Sequence, residues 1–371
     1  MLRRIVRGAW YVVADGAHRT RAARWQKPRT THHALIIASG VVLAITACSS
    51  DHRTPLVVYS PHGRDLLTLM ERGFEQLHPG VDVRWLDMGS QEVYDRVRSE
   101  RANPQADVWF GGPATIFARG AADSLLEPFR PSWAGAIDPH GRGPGDLYMA
   151  AYETPVVIVY AERVLRPEQA PQDWDDLLDP RWKGKILIRD PLASGTMRAV
   201  WGMIIERGLA QTHDTAAGFQ WLRRLDAQTK EYVLNGPLLD QKIVREEGLV
   251  TIWDLPDILL SKRDGLPLGY VFPTSGTPVI EDAIAVVRNA RHRDQAHAFV
   301  EYIGSIEAQL VATRDAYRLP ARRDIPTDSL PPWARAVRRA MKAANVDWDL
   351  LAARGADWMR YWDETVRGRA R

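Results

Sequence analysis

The sequence predicts an α/β fold built on an open, largely parallel sheet. Three short strands alternate with two helices between residues 56 and 110, and a second alternating set begins at residue 185. Strands joined by helices in this order pair in parallel through right-handed crossovers. Between the two sets lies Val156–Tyr160, a wholly apolar run that predicts a strand buried on both faces.

The first set follows from hydrophobic periodicity, because apolar residues recur at helical spacing in its helices and alternate in its second strand. In chain order its elements are strand Leu56–Tyr59, helix Arg64–His78, strand Val81–Trp85, helix Gln91–Arg101 and strand Ala106–Phe110. The predicted buried face of the first helix consists of Leu66, Leu67, Met70, Phe74 and Leu77.

The second set has the same character but more elements. Its predicted strands are Lys185–Arg189, Glu231–Leu234, Leu249–Trp253, Leu268–Phe272 and Ala283–Val287, with helices near 196–208, 214–226 and 240–247. From Asp294 the chain is mostly helical and rich in tryptophan. We expect these tryptophans to pack against the domain; a membrane or nucleic-acid patch on the Arg-rich tail is the alternative.

A candidate export signal precedes the first strand. Residues 34–47 are apolar or small, form a run shorter than the roughly 20 residues of a membrane span, and follow a basic flank. The run ends at the single cysteine of the chain, and Ile45-Thr46-Ala47-Cys48 resembles the bacterial lipobox. That resemblance implies that residues 1–47 are a lipoprotein signal peptide, that Cys48 carries the lipid and that residues 48–54 are a tether. An ordinary signal peptide, or a buried thiol, is the alternative.

The distribution of charge argues against a nucleic-acid partner. The whole chain has a formal net charge of +3. Residues 1–47 hold eight Lys and Arg residues against one Asp, which amounts to +7, so the remaining 324 residues carry −4. The basic character therefore belongs to the export signal. With no cysteine after Cys48, no disulfide framework is predicted, and 324 residues are enough for two domains.

The best local site signal is the segment Asp190–Thr196, between a strand and an apolar helix. Ser194, Gly195 and Thr196 offer hydroxyl groups and backbone N–H donors at the start of that helix. The first-turn donors have no helical partner and the helix dipole is positive there, so a phosphate, phosphonate or carboxylate fits. Ordinary N-capping by Ser or Thr is the alternative.

Further candidates follow other strands of the sheet, where ligands bind in open α/β folds. His62 could donate to an anion, while Trp253 could wall a pocket and Asp254 could take a hydroxyl, an amine or a hydrated cation. For each of them the alternative to a binding role is a structural one, as a solvated loop residue, a turn residue or a helix cap. The remaining candidates are Ser60, Ser90, Gly112, Thr115 and Asn235, with Glu281 and Asp282 as weaker ones.

Enzyme signatures are missing from the sequence. It contains no Walker loop, no G-x-S-x-G, no HExxH and no Rossmann fingerprint at a strand–helix junction, and its histidines lack metal-ligand spacing. We therefore expect no catalytic residue, metal or cofactor. A secreted hydrolase stays open, because its paired acids need leave no local signature.

Six segments match a known family in their order and spacing. They are Val57–Gly63, Ala106–Gly112, Trp174–Lys185, Asp190–Thr196, Phe272–Pro278 and Ala283–Val287. Together they resemble the extracellular solute-binding proteins of bacterial ABC transporters, in the branch that includes binders of ferric ion, phosphonates and sugar phosphates. The resemblance covers about residues 55–325.

The resemblance implies a two-lobed, type II periplasmic-binding-protein fold. Each lobe should have a central mixed sheet flanked by helices, and crossing strands near Ala151–Pro155 and Pro273–Val279 should join the lobes. Lobe one would comprise residues 55–152 plus 279–371, and lobe two residues 153–278. A ligand would be held between the lobes, which close by a hinge motion.

The resemblance also indicates the kind of solute. Ferric-ion binders of this branch present adjacent tyrosines after the strand that here is Leu249–Ile252, whereas this chain has Trp253 and Asp254. We therefore expect a small anionic solute such as a phosphonate or a sugar phosphate. Its charged end would be held by Ser194–Thr196, with Ser60 and His62 reaching it from the opposite lobe.

The partners implied are an ABC permease and ATPase, and the membrane through the lipid anchor. The protein is expected to be a monomer on the extracytoplasmic side. The alternatives are a ferric-iron-binding importer component, a solute sensor for a signalling receptor and a secreted hydrolase.

Overall fold

A computed structural model describes residues 52–368 of the chain. The strands are β1 (Thr54–Ser60), β2 (Val81–Asp87), β3 (Val108–Pro113), β4 (Leu126–Glu127), β5 (Met149–Ala161), β6 (Ile186–Arg189), β7 (Thr229–Val233), β8 (Val250–Asp254), β9 (Leu268–Val271), β10 (Val279–Val287) and β11 (Leu319–Pro320). The α-helices are α1 (Gly63–Leu77), α2 (Ser90–Ser99), α3 (Ala114–Ala122), α4 (Gly195–Thr212), α5 (Ala216–Gln228), α6 (Gly236–Val244), α7 (Leu255–Arg263), α8 (Arg293–Ile303), α9 (Ile306–Ala316), α10 (Pro332–Ala340) and α11 (Trp348–Thr365).

Eight of these eleven strands form one path in the order β2-β1-β3-β10-β5-β8-β6-β7, while β4 pairs with β10, and β9 and β11 pair with β5. β1 pairs in parallel with β2 and β3, as the strand–helix alternation predicts. β6 likewise pairs in parallel with β7 and β8, while β10 is antiparallel to β3 and β5. The sheet is therefore mixed, and the predicted α/β class is confirmed.

Strand β5 belongs to both parts of this path. Its first half, Met149–Pro155, pairs with β10, and its second half, Val156–Tyr160, pairs with β8. The strand carries the chain from the β1–β3 side to the β6–β8 side, and β10 brings it back. β5 contains the predicted crossing strand Ala151–Pro155. The other predicted crossing, Pro273–Val279, is not a strand over most of its length, because this connection contains a turn and enters β10 only at Val279. The lobe boundaries stay a prediction.

The β1–β3 side is covered on both faces. Val58 packs into one hydrophobic core and Tyr59 into another, because successive strand residues point to opposite faces. Four of the five predicted face residues of α1 are buried. The fifth, Leu77, is 61% exposed, since it lies in the last turn of the helix, beyond the edge of the core.

The C-terminal helix joins the core of the β6–β8 side. Trp358, Met359 and Trp362 pack with side chains of that core, and α11 contacts both α4 and α3. The predicted lobe one includes all of residues 279–371. Because α11 packs on α4 of the predicted lobe two and on α3 of the predicted lobe one, its place in lobe one stays a prediction.

No helix between residues 52 and 368 combines the length and apolarity of a membrane span. Cys48 and the predicted signal peptide lie outside the described residues.

Candidate functional site

A cavity of about 700 Å³ lies where six helices begin. Helices α1, α2 and α3 start at it after β1, β2 and β3, and α4, α6 and α7 start at it after β6, β7 and β8. This is the place beyond the carboxyl ends of strands where ligands bind in open α/β sheets. The cavity is thus lined from both sides of the strand path.

Most of the predicted site residues line this cavity: His62, Ser90, Gly112, Ser194, Thr196, Asn235, Trp253 and Asp254. Ser60 lies beneath the lining, fully buried, and its hydroxyl accepts a hydrogen bond from the His62 N–H at 3.2 Å. Thr115 and Gly195 line a neighbouring cavity of about 40 Å³. Of the two weaker candidates, Asp282 lines the main cavity and Glu281 does not.

Loops from the two sides touch at the edge of the cavity. A Cβ added to Gly195 would lie 2.6 Å from Pro113 Cδ and 2.9 Å from Ser90 Oγ. A Cβ added to Gly89 would lie 3.2 Å from the backbone oxygen of Ala193. Glycine at both positions permits this close approach. The loops that follow β2 and β3 can therefore meet the loop that precedes α4 over a ligand.

Three lining side chains are engaged as helix N-caps. The cap bonds are Met197 N–H to Ser194 Oγ at 3.2 Å, Leu238 N–H to Asn235 Oδ1 at 2.9 Å and Asp257 N–H to Asp254 Oδ1 at 3.1 Å. Helix α2 follows Gly89 and, like α1 and α3 at the same cavity, has no side-chain cap within the described residues. The backbone donors of its first turn are therefore available to a ligand.

Arg189 is a lining residue that the sequence analysis missed. It ends β6, is 7% exposed, and makes a long hydrogen bond of 3.3 Å to the backbone oxygen of Val233. No carboxylate among residues 52–368 forms an ion pair with it. Burial lowers the pKa of its guanidinium. Its Nη2 lies near Gly89, at the start of α2.

A second buried arginine, Arg318, approaches the cavity from the residue before β11. Its side chain is 4% exposed, and its Nη2 donates to Asp257 Oδ1 at 3.2 Å and to the His62 backbone oxygen at 3.4 Å. Its Nε has no partner within the described part of the chain. Burial and the charge of Arg318 hold the pKa of His62 well below its usual value. His62 is therefore a neutral imidazole rather than a cation.

Seven aspartates line the cavity, and four of them are here called the acidic cluster: Asp240, Asp254, Asp257 and Asp282. Burial raises the pKa of Asp240, Asp254 and Asp282, and the charge of Asp257 raises all three further. Asp282 accepts hydrogen bonds from the Thr154 hydroxyl and from the Gly112 backbone. The cavity therefore combines buried cationic groups with a larger number of carboxyl groups.

Within the acidic cluster, Asp240 offers a stability test. Burial raises its pKa from 3.8 to about 7, so the folded state binds the proton more tightly than the unfolded state. Its contribution to stability is therefore lost as the pH rises from about 4 to about 7. We expect the free energy of unfolding of Asp240→Asn to exceed that of wild type at pH 8, by on the order of 4 kcal/mol, and the difference to shrink toward pH 4. Thermal melts across this range measure it.

The matched control for that test is Asp357→Asn, on the exposed surface of α11. It removes the same charge outside the cavity and should shift melting little at any pH. A difference between Asp240→Asn and wild type that stays constant from pH 4 to pH 8 would contradict the expected pKa.

The donor set of the cavity does not resemble a metal site. Between residues 52 and 368 no three His, Cys, Asp or Glu side chains are grouped as they would be to hold a metal ion. No tyrosine of the described chain lines the cavity either.

Residues 72–341 match the family model described as bacterial extracellular solute-binding protein. The chain belongs to this family. The resemblance derived from the six sequence segments is thereby confirmed at the level of the family. The family is one of proteins that bind solutes outside the cell.

Several curated proteins are similar to the chain over most of its length. An uncharacterised protein of Haemophilus influenzae is 29% identical, with 75% of this chain and 80% of that protein covered. A Sinorhizobium fredii protein, provisionally named as an ABC transporter periplasmic-binding protein, is 25% identical, with 99% of this chain and 100% of that protein covered. A Salmonella typhimurium protein, provisionally named as a 2-aminoethylphosphonate-binding periplasmic protein, is 26% identical, with 74% of this chain and 80% of that protein covered.

Solved structures identify the fold. The periplasmic binding protein AfuA from Actinobacillus pleuropneumoniae, with fructose-6-phosphate bound, has a TM-score of 0.75 and 26% identity, and 85% of this chain and 99% of AfuA are covered. The ferric binding protein from Campylobacter jejuni has a TM-score of 0.71 at 19% identity, with 83% and 98% covered. The fold is that of type II periplasmic binding proteins, as the sequence analysis expects.

Proposed function

We propose that the chain is the substrate-binding component of an ABC importer and captures a small anionic solute, such as a phosphonate or a sugar phosphate. The observation that carries this proposal is Arg189, a buried guanidinium in the cavity without a carboxylate partner in the described chain. An unpaired buried charge is costly, and an anionic ligand would offset that cost.

The position of Arg189 supports a ligand-linked closure. The residue belongs to the β6–β8 side, while the uncapped start of α2 belongs to the β1–β3 side. An anion held between them would accept hydrogen bonds from both sides at once. Ser90 and Thr196 line the same cavity and could add hydroxyl donors. Binding would thus stabilise the arrangement in which the loops at Gly89 and Gly195 meet.

The names of similar proteins support the same class of solute. One relative is named for an aminophosphonate and one solved structure holds a sugar phosphate. Other relatives are named for iron uptake. For this chain, the absence of tyrosine from the described cavity lining favours the organic anion over ferric iron.

Native mass spectrometry of the exported protein, purified without unfolding, tests the proposed function. We expect a retained small acid that contains phosphorus, released when the protein is denatured. A retained neutral solute would overturn the anion, and retained iron with a visible charge-transfer band would favour the ferric alternative. Conversion of the bound solute into product during incubation would favour the hydrolase.

We also expect the protein to be anchored through Cys48, which follows the apolar run in the lipobox-like segment. In a lipoprotein-competent bacterium, Cys48→Ala should move the protein from the membrane fraction to the soluble fraction or leave the signal peptide uncleaved, because the acceptor sulfur is lost. Fractionation and intact-mass measurement check this. A Cys48→Ala protein that is processed normally and stays on the membrane would contradict the anchor.

A further inference from the structure

Helix α11 lies outside the main cavity and contacts helices from both of its sides. It packs on α4, which starts at the main cavity after β6, and on α3, which starts there after β3. The small cavity of about 40 Å³ lies where these three helices meet. Its lining includes Ile116 and Arg119 of α3, Arg198 of α4, and Leu351 and Ala356 of α11. These five residues are here called the three-helix junction.

The two sides of the three-helix junction belong to different hydrophobic cores. Ile116 of α3 is buried in a core of the β1–β3 side, together with Tyr59 and Trp109. Leu351 of α11 is buried in the core of the β6–β8 side, and a Cβ added to Gly202 of α4 would lie 2.7 Å from its Cγ. A movement that parts α3 from α4 and α11 would therefore open the junction without dividing either core.

Each side of the junction contributes one arginine, and neither arginine forms an ion pair within residues 52–368. Arg198 Nη2 donates to the backbone oxygen of Leu192 at 2.8 Å. Arg119 Nη1 donates to Gln91 Oε1 at 3.3 Å, and its guanidinium carbon lies 4.4 Å from the centre of the Tyr94 ring. Each guanidinium is therefore held by groups of its own side.

The two positive charges act on each other across the junction. Burial and the charge of Arg119 lower the pKa of Arg198 to about 10. The charges of Asp95 and Asp190 act in the opposite direction, each less strongly than that of Arg119. No carboxyl group of the described residues lines the small cavity. Closing α3 onto α4 therefore brings two like charges together, which disfavours the closed arrangement.

We propose that Arg119 and Arg198 form a repulsive pair that opposes closure of the main cavity and thereby lowers its affinity. Both residues line the small cavity and neither lines the main one, so they are positioning residues that do not touch the solute. A solute that holds the two sides together must overcome the repulsion, which is subtracted from its free energy of binding. This inference rests on the proposed function only in that a solute closes the main cavity.

Distances between two spin labels in the ligand-free protein test the proposal. Ser99 of α2 and Arg245, which follows α6, are exposed residues on opposite sides of the strand path. Ser99→Cys and Arg245→Cys are introduced and labelled in a Cys48→Ala chain, which has no other thiol. Pulsed electron paramagnetic resonance then gives the populations of the shorter, closed distance and of the longer, open distance.

Arg119→Met removes one charge of the pair and should raise the ratio of closed to open protein by about threefold, the effect of a partly exposed charge pair. Arg119→Glu replaces repulsion by attraction and should raise the ratio by about tenfold. In a chain that already carries Arg198→Met, Arg119→Met should cause no further change. Arg98→Met is the matched control, since Arg98 lies on the same side as Arg119 and pairs with Asp123 on the surface. It should leave the ratio unchanged.

The measurement can overturn the repulsive pair in two ways. Equal distance distributions in wild type and in both Arg119 variants, each shown by thermal melting to be folded, would do so, as would a shift toward the open distance. A shift toward the closed distance that persists in the Arg198→Met background would also do so, because Arg119 would then act through another group.

The outcomes separate this proposal from the proposed function, because the distances are measured without solute. A retained neutral solute would overturn the proposed anion and leave the repulsive pair standing. Unchanged distances together with a retained acid that contains phosphorus would overturn the repulsive pair alone.

Discussion

Replacing Arg189 by methionine is expected to weaken binding of the co-purifying solute by roughly 30- to 700-fold. The guanidinium is buried beside the uncapped start of α2, and no carboxylate of the described residues neutralises it. Truncating one partner of a buried, hydrogen-bonded charge pair costs about 2–4 kcal/mol, and 1.4 kcal/mol corresponds to tenfold in affinity. Calorimetric titration of both proteins at one ionic strength measures the change.

Two further variants show whether the loss comes from this group. Arg189→Lys keeps the charge but loses the planar fork, so its affinity should fall between those of wild type and Arg189→Met. Arg207→Met is the matched control on α4, where the native side chain pairs with Asp175 on the surface. It should bind as wild type does.

The stability of the ligand-free protein distinguishes binding from folding. Because Arg189 is a buried charge with one long hydrogen bond, its replacement by an apolar side chain of similar length should leave the melting temperature unchanged or raise it. A folded Arg189→Met protein with wild-type affinity would place the anion elsewhere in the cavity.

The fold could be predicted from sequence because its signals are local. β1, α1, β2, α2 and β3 each have their own hydrophobic period, and the parallel pairing follows from their alternation. Helices α3 and α7 escaped the analysis as separate elements, since each begins directly after a strand and spans nine residues. The position of α11 against α4 depends on contacts far apart in sequence, which periodicity does not encode.

The site was only partly predictable for a related reason. Residues at or just beyond strand ends, such as Asp254 and His62, lie at the cavity, because strand ends meet at one edge of a sheet. Arg189 had a usable signal, as a charged residue that ends a buried strand just before the Asp190–Thr196 segment. Arg318 had none, because it follows a helix more than 120 residues further along the chain.

Neighbouring positions also differ in ways that sequence does not reveal. Ser60 and His62 are two residues apart, yet only His62 lines the cavity, because the Ser60 hydroxyl turns under the loop to accept the His62 N–H. Asp240 and Asp257 lie inside α6 and α7, where an isolated acid usually indicates a solvated helix face. That Asp240 and Asp257 line the cavity follows only from the way the two helices pack around it.

Replacing Trp362 by alanine is expected to destabilise the protein by about 3–5 kcal/mol, the usual cost of truncating a fully buried tryptophan. Trp362 has no solvent exposure, and its ring packs edge-on against Trp201 of α4 and Tyr232 of β7, with centroids 5.9 and 5.4 Å away. Its Nε1 has no hydrogen-bond partner in the described chain, so the loss is one of ring packing, together with the contact of Arg367 over the ring at 5.7 Å. Urea unfolding measures it.

The comparison with Trp348→Ala shows whether the loss of stability comes from the buried position of Trp362. Trp348 is half-buried at the start of the same helix, so its truncation leaves a smaller cavity and should cost less. A Trp362→Ala protein no less stable than Trp348→Ala would show that α11 is not held by the core of the β6–β8 side. The expected large difference would support the packing of α11 against α4, because removing one of its side chains would weaken the core built around α4.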